Sequence, residues 1–254
     1  MKKIVLLLLA LINIIPAQNK LMAEGLMDDV SIKTRVGYSI GGTAPIGIPA
    51  TIRSIDKYSL TPSFMVGADV MKPINSKWGV SGGLHFENKG MDAEATTKAY
   101  HMEVKKGESM LDGVYTGHIK QKVKEWMFTL PVEATYSLGD KFMLKAGPYV
   151  SLLINKDFSG YVFDGYLRQG NPTGPRVAMG KEENERATYD FSDDMRNFQC
   201  GIAIGADWQV HKHFGVSVDL NWGLNGIFKS SFKTVEQTLF PIYGTIGVFY
   251  TIKL

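Results

Sequence analysis

Nine residues whose side chains could do acid–base or ion-binding chemistry lie at odd-numbered positions within regularly alternating apolar segments. They are Lys33, Arg35, Asp69, His85, Glu87, Glu133, Lys145, Asp207 and Asp219. Carboxylates, a histidine and cations that meet inside a protein can move protons, line a narrow ion path or catalyse a reaction. They can also simply pair with each other, because an unpaired buried charge is strongly unfavourable. We expect a paired network; an ion path and a catalytic role are the alternatives.

The other residues with reactive or metal-binding side chains form no recognisable site. His211 and His213 are two positions apart, but nothing near them in the sequence completes a tetrahedral metal site, and His101 and His118 stand alone. The single Cys200 excludes an internal disulfide and a cysteine-based zinc site, and it lies at an apolar position. A Ser-His-Asp arrangement between loops stays open, although no nucleophile motif marks one. We therefore predict no catalytic residue, no cofactor and no metal.

The elements that position these side chains are predicted from apolar residues at even positions. In "YSLGDKFMLKAGPYVSLLI" (136–154), Phe142, Leu144 and Val150 alternate with polar or small residues. This alternation is typical of a β-strand, and the strand is longer than the usual five or six residues or so. Eight segments share this even parity, and no helical periodicity of useful length follows residue 28. The eight segments are 30–40, 64–70, 78–86, 126–136, 142–154, 198–210, 214–224 and 240–254.

The connections between these segments alternate in length. Three are short turns, at 72–77, 137–140 and 211–213. Four are long, at about 41–61, 90–121, 156–195 and 226–237. Short turns at one end and long loops at the other are typical of an outer-membrane β-barrel. The sequence thus predicts an all-β fold, a closed eight-stranded antiparallel transmembrane β-barrel with short periplasmic turns and long extracellular loops.

Two of the long connections carry further predictions. Residues 90–121 alternate on both sides of a glycine-containing centre, which predicts a hairpin that continues strands three and four above the membrane. Residues 156–195 contain "GNPTGPR" and "KEENERATYDFSDD" and are predicted to be a solvated surface loop. The alternative for this loop is a ligand or partner surface, since loops on rigid scaffolds often carry binding residues.

The apolar face of the strands is predicted to point outward. An eight-stranded barrel has an interior only just wide enough for side chains, and ten glycines on the odd parity suit such a narrow space. Those glycines are Gly37, Gly67, Gly79, Gly83, Gly147, Gly201, Gly205, Gly215, Gly223 and Gly247. Trp126 and Tyr136 lie ten residues apart, which is roughly 25 Å along the normal of a membrane for a tilted strand. Aromatic side chains at that spacing fit the two interfacial belts, so outer-membrane lipid is the predicted partner of this face.

The N-terminus predicts export. Lys2 and Lys3 precede an apolar run over 4–12, and Ala17 supplies a small residue before a polar stretch. This is typical of a signal peptide over residues 1–17, with a cut possible as late as residue 23, and the run is too short for a transmembrane helix. An uncleaved N-terminal anchor is the alternative. The barrel domain is predicted over 28–254, in the outer membrane.

Four stretches resemble one known family. They are "WGVSGGLHFENKG" (78–90), "FTLPVEATYSLGDKFMLKAGPYVSLL" (128–153), "GADWQVHKHFGVSVDLNWGL" (205–224) and "YGTIGVFYTIKL" (243–254). The chain is similar, over about residues 28 to 254, to the PorT-like outer-membrane β-barrel family of Gram-negative bacteria. The chain ends in Leu254 where many outer-membrane barrels end in Phe. The resemblance implies the fold and the location; the member that gives the family its name is associated with a protein-secretion machinery.

These observations predict a non-enzymatic, monomeric outer-membrane barrel that presents its long loops in a structural or interaction role. One alternative is a component of a secretion or surface-assembly machinery, with a protein partner outside the cell or in the periplasm. Another is an outer-membrane enzyme acting on lipid or peptide. Such an enzyme would need an apolar pocket in the outer half of the barrel, where we expect Arg35, His85, Glu87 and glycines instead. A net charge of +3 without a basic stripe argues against nucleic acid as a partner, and a lumen filled by paired charges predicts no general diffusion pore.

Overall fold

Alternating residues from Ser31 onward form long antiparallel strands. The computed structural model describes residues 30–59, 61–235 and 237–253, so the predicted signal peptide and the terminal Leu254 lie outside the described residues. Eleven strands occur in the described part of the chain, together with single 3-10 turns at Glu183–Glu185 and Ser192–Asp194. The strands are β1 (Ser31–Pro45), β2 (Ile52–Ser59), β3 (Phe64–Pro73), β4 (Trp78–Lys106), β5 (Ser109–Leu138), β6 (Phe142–Gln169), β7 (Arg176–Met179), β8 (Ala187–Asp190), β9 (Phe198–Gln209), β10 (Phe214–Gly223) and β11 (Leu239–Lys253).

Eight of these strands pair in a ring. The order is β1, β3, β4, β5, β6, β9, β10 and β11, and β11 pairs with β1, so that each strand has two antiparallel neighbours. They correspond to the eight segments predicted from the alternation. Five of them begin at the predicted residue, namely Phe64, Trp78, Phe142, Phe198 and Phe214. In the ranges that the structure describes, no helix has the length and apolar character needed to cross a membrane.

The even-numbered apolar side chains lie on the outside of the ring. Val218 is 54% exposed, and Leu144, Leu152 and Ile246 are also exposed, whereas Arg35 on the other parity is only 2% exposed. The predicted direction of the apolar face is therefore confirmed. Because side chains alternate with a period of two, even-numbered residues of the spanning strands face outward and odd-numbered residues face the interior of the ring.

Aromatic side chains gather at the two ends of the outward apolar face. At one end the ring centres of Trp78 and Tyr136 are 4.8 Å apart, and the ring of Phe142 stacks on that of Trp208. At the other end the ring centres of Phe64 and Phe86 lie 5.6 and 5.5 Å from that of Trp126. Two such belts of aromatic side chains are typical of a protein that crosses both membrane–water interfaces.

The short and long connections lie at opposite ends. The turns after β3, β5 and β9 are short, and Gly139 adopts a left-handed φ of 73° in the second of them. At the other end β4 and β5 continue past the belt and close in a hairpin next to Gly107, which has a φ of 58°. The hairpin predicted over 90–121 is confirmed. Hereafter the structure beyond the belt of Phe64, Phe86 and Trp126 is called the extension.

The segment predicted as a solvated loop over 156–195 is structured, and that prediction is wrong. β6 runs on to Gln169, β7 pairs with it, and β8 pairs with both β6 and β4. The first long connection likewise contains β2, which pairs with β4. Phe158 and Val162 are fully or almost fully buried, so this segment encloses a core and does not simply face solvent.

Two irregularities in pairing explain why the alternation did not reveal part of that core. Between Thr97 and Tyr100 two residues of β4 face Thr116 alone, and Ile154 of β6 is an extra residue opposite β5. A bulge of one residue turns the following side chains to the other face of the strand. Even-numbered residues beyond the bulges, such as Val104 and Phe158, therefore point inward and join an apolar core in the extension. That core includes Met91, Met102, Tyr115, Ile119, Val123, Val162, Leu167, Met179, Tyr189, Phe191, Met195 and Ile227.

Candidate functional site

A buried arginine lies at the centre of the charged interior. Arg35 on β1 donates from both terminal nitrogens to the two carboxylate oxygens of Asp207 on β9, at 2.8 Å each, and from Nε to Asp69 on β3. Two parallel bonds between a guanidinium and a carboxylate are strong and fix the orientation of both groups. Because two strands of the ring separate β1 from β9, this contact crosses the interior.

The other predicted interior charges join the same network. Lys33 lies 2.7 Å from Asp207, His85 lies 2.7 Å from Asp69, and Lys145 lies 2.6 Å from Asp219. Lys145 is also 3.9 Å from both Glu133 and Asp207, and the predicted Glu87 pairs with Lys89 and lies 4.0 Å from His85. All nine residues predicted from the sequence thus meet in one paired network, and this expectation is confirmed. We call this set, together with Lys89, the charged layer.

Three buried polar residues near the extension were missed by the sequence reasoning. Lys89 lies 2.6 Å from Glu87, and Gln199 donates a 2.7 Å hydrogen bond to Glu125. The second carboxylate oxygen of Glu125 has no hydrogen-bond partner among the described residues. All three have odd numbers, so the signal was present. The predicted segments ended at 86 or began at 126 and 198, which left Lys89 and Glu125 in loops and Gln199 without a role.

The charged layer leaves little free space. Phe249 fills the region beneath Lys33 and Arg35, with its ring centre 4.7 and 5.3 Å from their cationic groups. The cavities found beside the charged layer have volumes of about 60 Å³ near Lys33 and about 20 Å³ near Lys145. Spaces of this size hold a few water molecules at most.

A much larger apolar cavity lies above the charged layer, inside the extension. Its volume is about 490 Å³, and Met91, Met102, Ile119 and Phe158 form part of its wall. The predicted charges do occupy the ring at the level of the charged layer, and the apolar cavity lies above them, where no pocket was predicted. Two features produce this cavity. Met91 and Ile119 have the same inward, odd parity as the charged residues, and the bulges turn the even-numbered Met102 and Phe158 inward as well.

A second, more polar depression opens on the outside of the extension. It has a volume of about 950 Å³ and lies between the β4–β5 hairpin and β8. Its wall carries Glu103, Lys105, Lys120, Lys122 and Asp190, so charges of both signs meet in it. We call it the mixed-charge depression. A concave surface with charges of both signs can bind a polar partner by complementary pairing.

Buried tyrosines hold the extension together. Tyr115 donates a 2.7 Å hydrogen bond to the carbonyl oxygen of Phe163, and Tyr189 donates one of 2.9 Å to that of Lys120. Burial raises the pKa of both hydroxyl groups above the ordinary value of tyrosine. Both therefore stay protonated and donate across strands at physiological pH, which keeps the walls of the cavity and of the depression in place.

The remaining histidines form no relay. His118 Nδ1 lies 3.4 Å from Asp56 and 3.2 Å from the hydroxyl of Thr96. A catalytic relay needs the base to use its two ring nitrogens for nucleophile and carboxylate, and here one nitrogen faces both groups. Hydrogen bonds from Ser54 and Thr96 lower the pKa of Asp56. This cluster is a surface network between β2, β4 and β5.

The other residues weighed as metal-binding or reactive are apart from one another. His101 lies 3.4 Å from Asp112, and His213 Nδ1 is 3.1 Å from the carbonyl oxygen of Thr251 in the turn at the opposite end. Cys200 is free and half-buried on β9. Within residues 30–59, 61–235 and 237–253, no group of three or more histidine, cysteine or acidic residues is arranged to hold a metal ion.

Comparison with solved structures returns small outer-membrane proteins. Ail, the attachment invasion locus protein of Yersinia pestis, is 11% identical in the structure with a heparin analogue, with 88% of this chain and 99% of Ail covered and a TM-score of 0.39. OprG from Pseudomonas aeruginosa is 14% identical, with 89% and 97% covered and a TM-score of 0.27. The translocator domain of NalP from Neisseria meningitidis is 10% identical, with 92% and 93% covered and a TM-score of 0.25. No curated protein matches this chain significantly.

The family comparison is decisive because it covers most of the chain. A family model described as "Outer membrane protein beta-barrel domain" matches residues 17–229. The matched range contains the belts, the charged layer apart from its contacts with β11, and most of the extension. The chain therefore belongs to the outer membrane protein beta-barrel domain family and is a β-barrel protein of the outer membrane.

Proposed function

We propose that this protein is a closed eight-stranded barrel that displays its extension outside the cell, binds another molecule there, and catalyses no reaction. Within its family we place it in the PorT-like group on the four sequence stretches quoted above. The exported chain, after removal of residues 1–17 or a slightly longer signal peptide, works as a monomer in this proposal.

The orientation follows from the lengths of the connections. Barrels in bacterial outer membranes have short periplasmic turns and longer extracellular loops. Here the turns after β3, β5 and β9 share one end, and the extension formed by β4, β5 and β6 is at the other. This arrangement supports an extracellular extension and periplasmic chain ends.

The observation that carries the proposal is the contrast between the two halves of the molecule. The charged layer fills the ring within the membrane, and long strands continue beyond the belt around an apolar core of their own. A transport protein needs a path through its ring. In this chain the ring is filled by side chains and supports the extension above it. A rigid scaffold that holds a folded, structured surface away from the membrane suits binding.

The mixed-charge depression is the part of the extension best suited to a partner. Lys105 and Lys122 on the hairpin face acidic residues on β8 and on the segment after it across the depression. Lys120, which pairs with Glu94 at 3.1 Å, is held in place by its partner. The partner that fits such a surface is a polar one that carries both charges, such as a folded protein.

Photo-crosslinking in intact cells tests this proposal. A benzoylphenylalanine residue at position 105 should give a discrete adduct of higher mass, and a residue at position 218 on the lipid-facing surface should not. Adding Lys122→Glu to the variant with the crosslinker at 105 should reduce the adduct at least fivefold. The absence of an adduct from position 105 in folded, surface-exposed protein would contradict a binding role for this depression. An adduct with a secretion component would assign the protein to such a machinery.

A further inference from the structure

The wall of the barrel is open on one side of the extension. Pairing between β1 and β3 ends at Tyr38 opposite Phe64. Above this point β1 makes one more hydrogen bond on this side, from the Ser39 N–H to the carbonyl oxygen of Ser63 at 2.9 Å, and then pairs with β11 alone as far as Pro45, while β2 pairs with β4. Among the described residues, no backbone pairing joins the upper part of β1 to β2. The resulting gap, which we call the seam, is crossed by the hydroxyl of Tyr58, which donates to the carbonyl oxygen of Gly41.

The apolar cavity lies directly behind the seam. Both edges of the seam line it, with Gly42 and Ala44 on β1 and Ile55 and Tyr58 on β2. Its deep wall consists of apolar side chains from the core of the extension. These are Met91, Met102, Ile119, Phe158, Phe191 and Leu239. A volume of about 490 Å³ falls in the range of roughly 300–1,000 Å³ that is usual for small-molecule sites.

The rim of the seam is continuous with the lipid-facing surface. Ile40 is both an outward apolar residue of β1 and part of the cavity wall. Ile48 and Ile55, which line the same cavity, are 65% and 59% exposed. Isolated exposed isoleucines need no explanation, but a contiguous apolar strip that joins a cavity to the membrane face does.

The height of the seam matches the outer edge of the membrane. From Ile32, at the lower end of the outward face, to Ile40 the tilted strand rises about 20 Å, within an apolar band about 25 Å tall. Gly42 and Ala44 continue upward from there. In the orientation proposed above, the seam therefore opens where the acyl chains of the outer leaflet meet their headgroups.

We propose that the cavity binds one acyl chain, such as the tail of a fatty acid or of a lipid, which enters sideways through the seam. The neighbouring lipid supplies this ligand, and the two methionines of the wall, Met91 and Met102, can adapt to a flexible chain. Few polar groups face the cavity, and the hydroxyl of Thr97 is already bonded to the carbonyl oxygen of Gly117. This inference rests on the outward orientation in the proposed function but does not depend on a protein partner.

Two alanines of β4 allow the cavity to be filled without touching the charged layer. Ala93 and Ala95 line it and lie opposite Tyr58 and Ile55 of β2. Ala93→Phe should occupy space that an acyl chain needs, because the side chain already faces the apolar core. Ala134→Phe is the matched control, since Ala134 is exposed on the lipid-facing side of β5.

The experiment uses the purified protein in phosphatidylcholine vesicles with a palmitic acid that carries a diazirine on its chain. After illumination and digestion, mass spectrometry should find labels on interior residues such as Met102, Ile119 and Phe158. Ala93→Phe should reduce these interior labels at least tenfold, and Ala134→Phe should leave them unchanged. Unlabelled palmitic acid should compete saturably. Heat-modifiable gel mobility checks folding, and Ala95→Leu serves as a milder variant if Ala93→Phe does not fold.

Labels confined to lipid-facing residues such as Leu144 in the wild-type protein would overturn the proposal. So would interior labelling that persists in a folded cavity-filling variant, or that competes without saturation. These outcomes do not depend on the direction of insertion or on a partner. Protease digestion of whole cells and the crosslinking experiment report separately on the proposed function, so the two failures can be told apart.

Discussion

Arg35 on β1 and Asp207 on β9 form a two-pronged ion pair across the interior of the ring, with two N–O distances of 2.8 Å. Both side chains are 2% exposed. The same guanidinium also bonds Asp69 on β3, so one residue joins three strands of the ring. A contact of this kind both closes the interior and ties β1 to β9, which are not paired with each other in the ring.

Arg35→Ala should destabilise the protein by about 3–5 kcal/mol, because it leaves two buried carboxylates without their main partner. The measurement is the free energy of unfolding in guanidinium, with the protein in vesicles. Lys181→Ala is the control, since Lys181 pairs with Asp164 at 3.2 Å on the surface and is 73% exposed. An exposed pair contributes about 0–1 kcal/mol. Equal losses in the two variants would contradict a structural role for the charged layer.

Val218→Arg should reduce refolding yield far more than Lys181→Arg. Val218 lies in the middle of β10 and points outward, and arginine at the midplane of a barrel's lipid-facing surface costs about 2–4 kcal/mol. Refolding into phosphatidylcholine vesicles, followed by heat-modifiable gel mobility, measures the difference. Equal yields would mean that this surface does not face lipid.

Trypsin added to whole cells should cut after Lys181 and not after Lys141. Lys181 follows β7 in the extension and is highly exposed, whereas Lys141 is in the short turn between β5 and β6. Both side chains are exposed in the isolated protein. Purified protein is therefore the control, and trypsin should cut it after both lysines. Cleavage of whole cells after Lys141 alone would show that the barrel is inserted the other way round.

The spanning strands could be predicted from the sequence because the surroundings on their two sides differ so sharply. Lipid outside and a narrow interior leave a single parity for large apolar residues, so Leu144 and Val218 follow the same rule as every other outward position. The paired charges follow from the same rule, since Arg35 and Asp207 had to share a space that water does not fill.

Only the hairpin of the extension could be predicted in the same way, because part of the core around it depends on local irregularities. Ile154 is the residue added opposite β5, and nothing in its type or its neighbours marks it as a bulge. After this bulge the even-numbered Phe158 points inward. The apolar alternation therefore continues along β6, but its even positions now face the interior and no longer the outside. The cavity and the seam depend on where β1 stops pairing with β3, which is a long-range property of the ring.

The last prediction concerns conductance. Purified protein in planar bilayers should show no stable openings of porin size, because paired side chains and Phe249 occupy the ring at the level of Arg35, and the spaces beside them measure about 60 and 20 Å³. Arg35→Ala combined with Asp207→Ala removes a cation and an anion together, which leaves the net charge unchanged but takes away the bridge across the interior. If the charged layer is what blocks the path, this double variant should pass small currents where the wild-type protein passes none, and heat-modifiable gel mobility should confirm that both are folded. Frequent, stable openings of the wild-type protein would instead assign it to transport, and the extension would then be a mouth and not a binding surface.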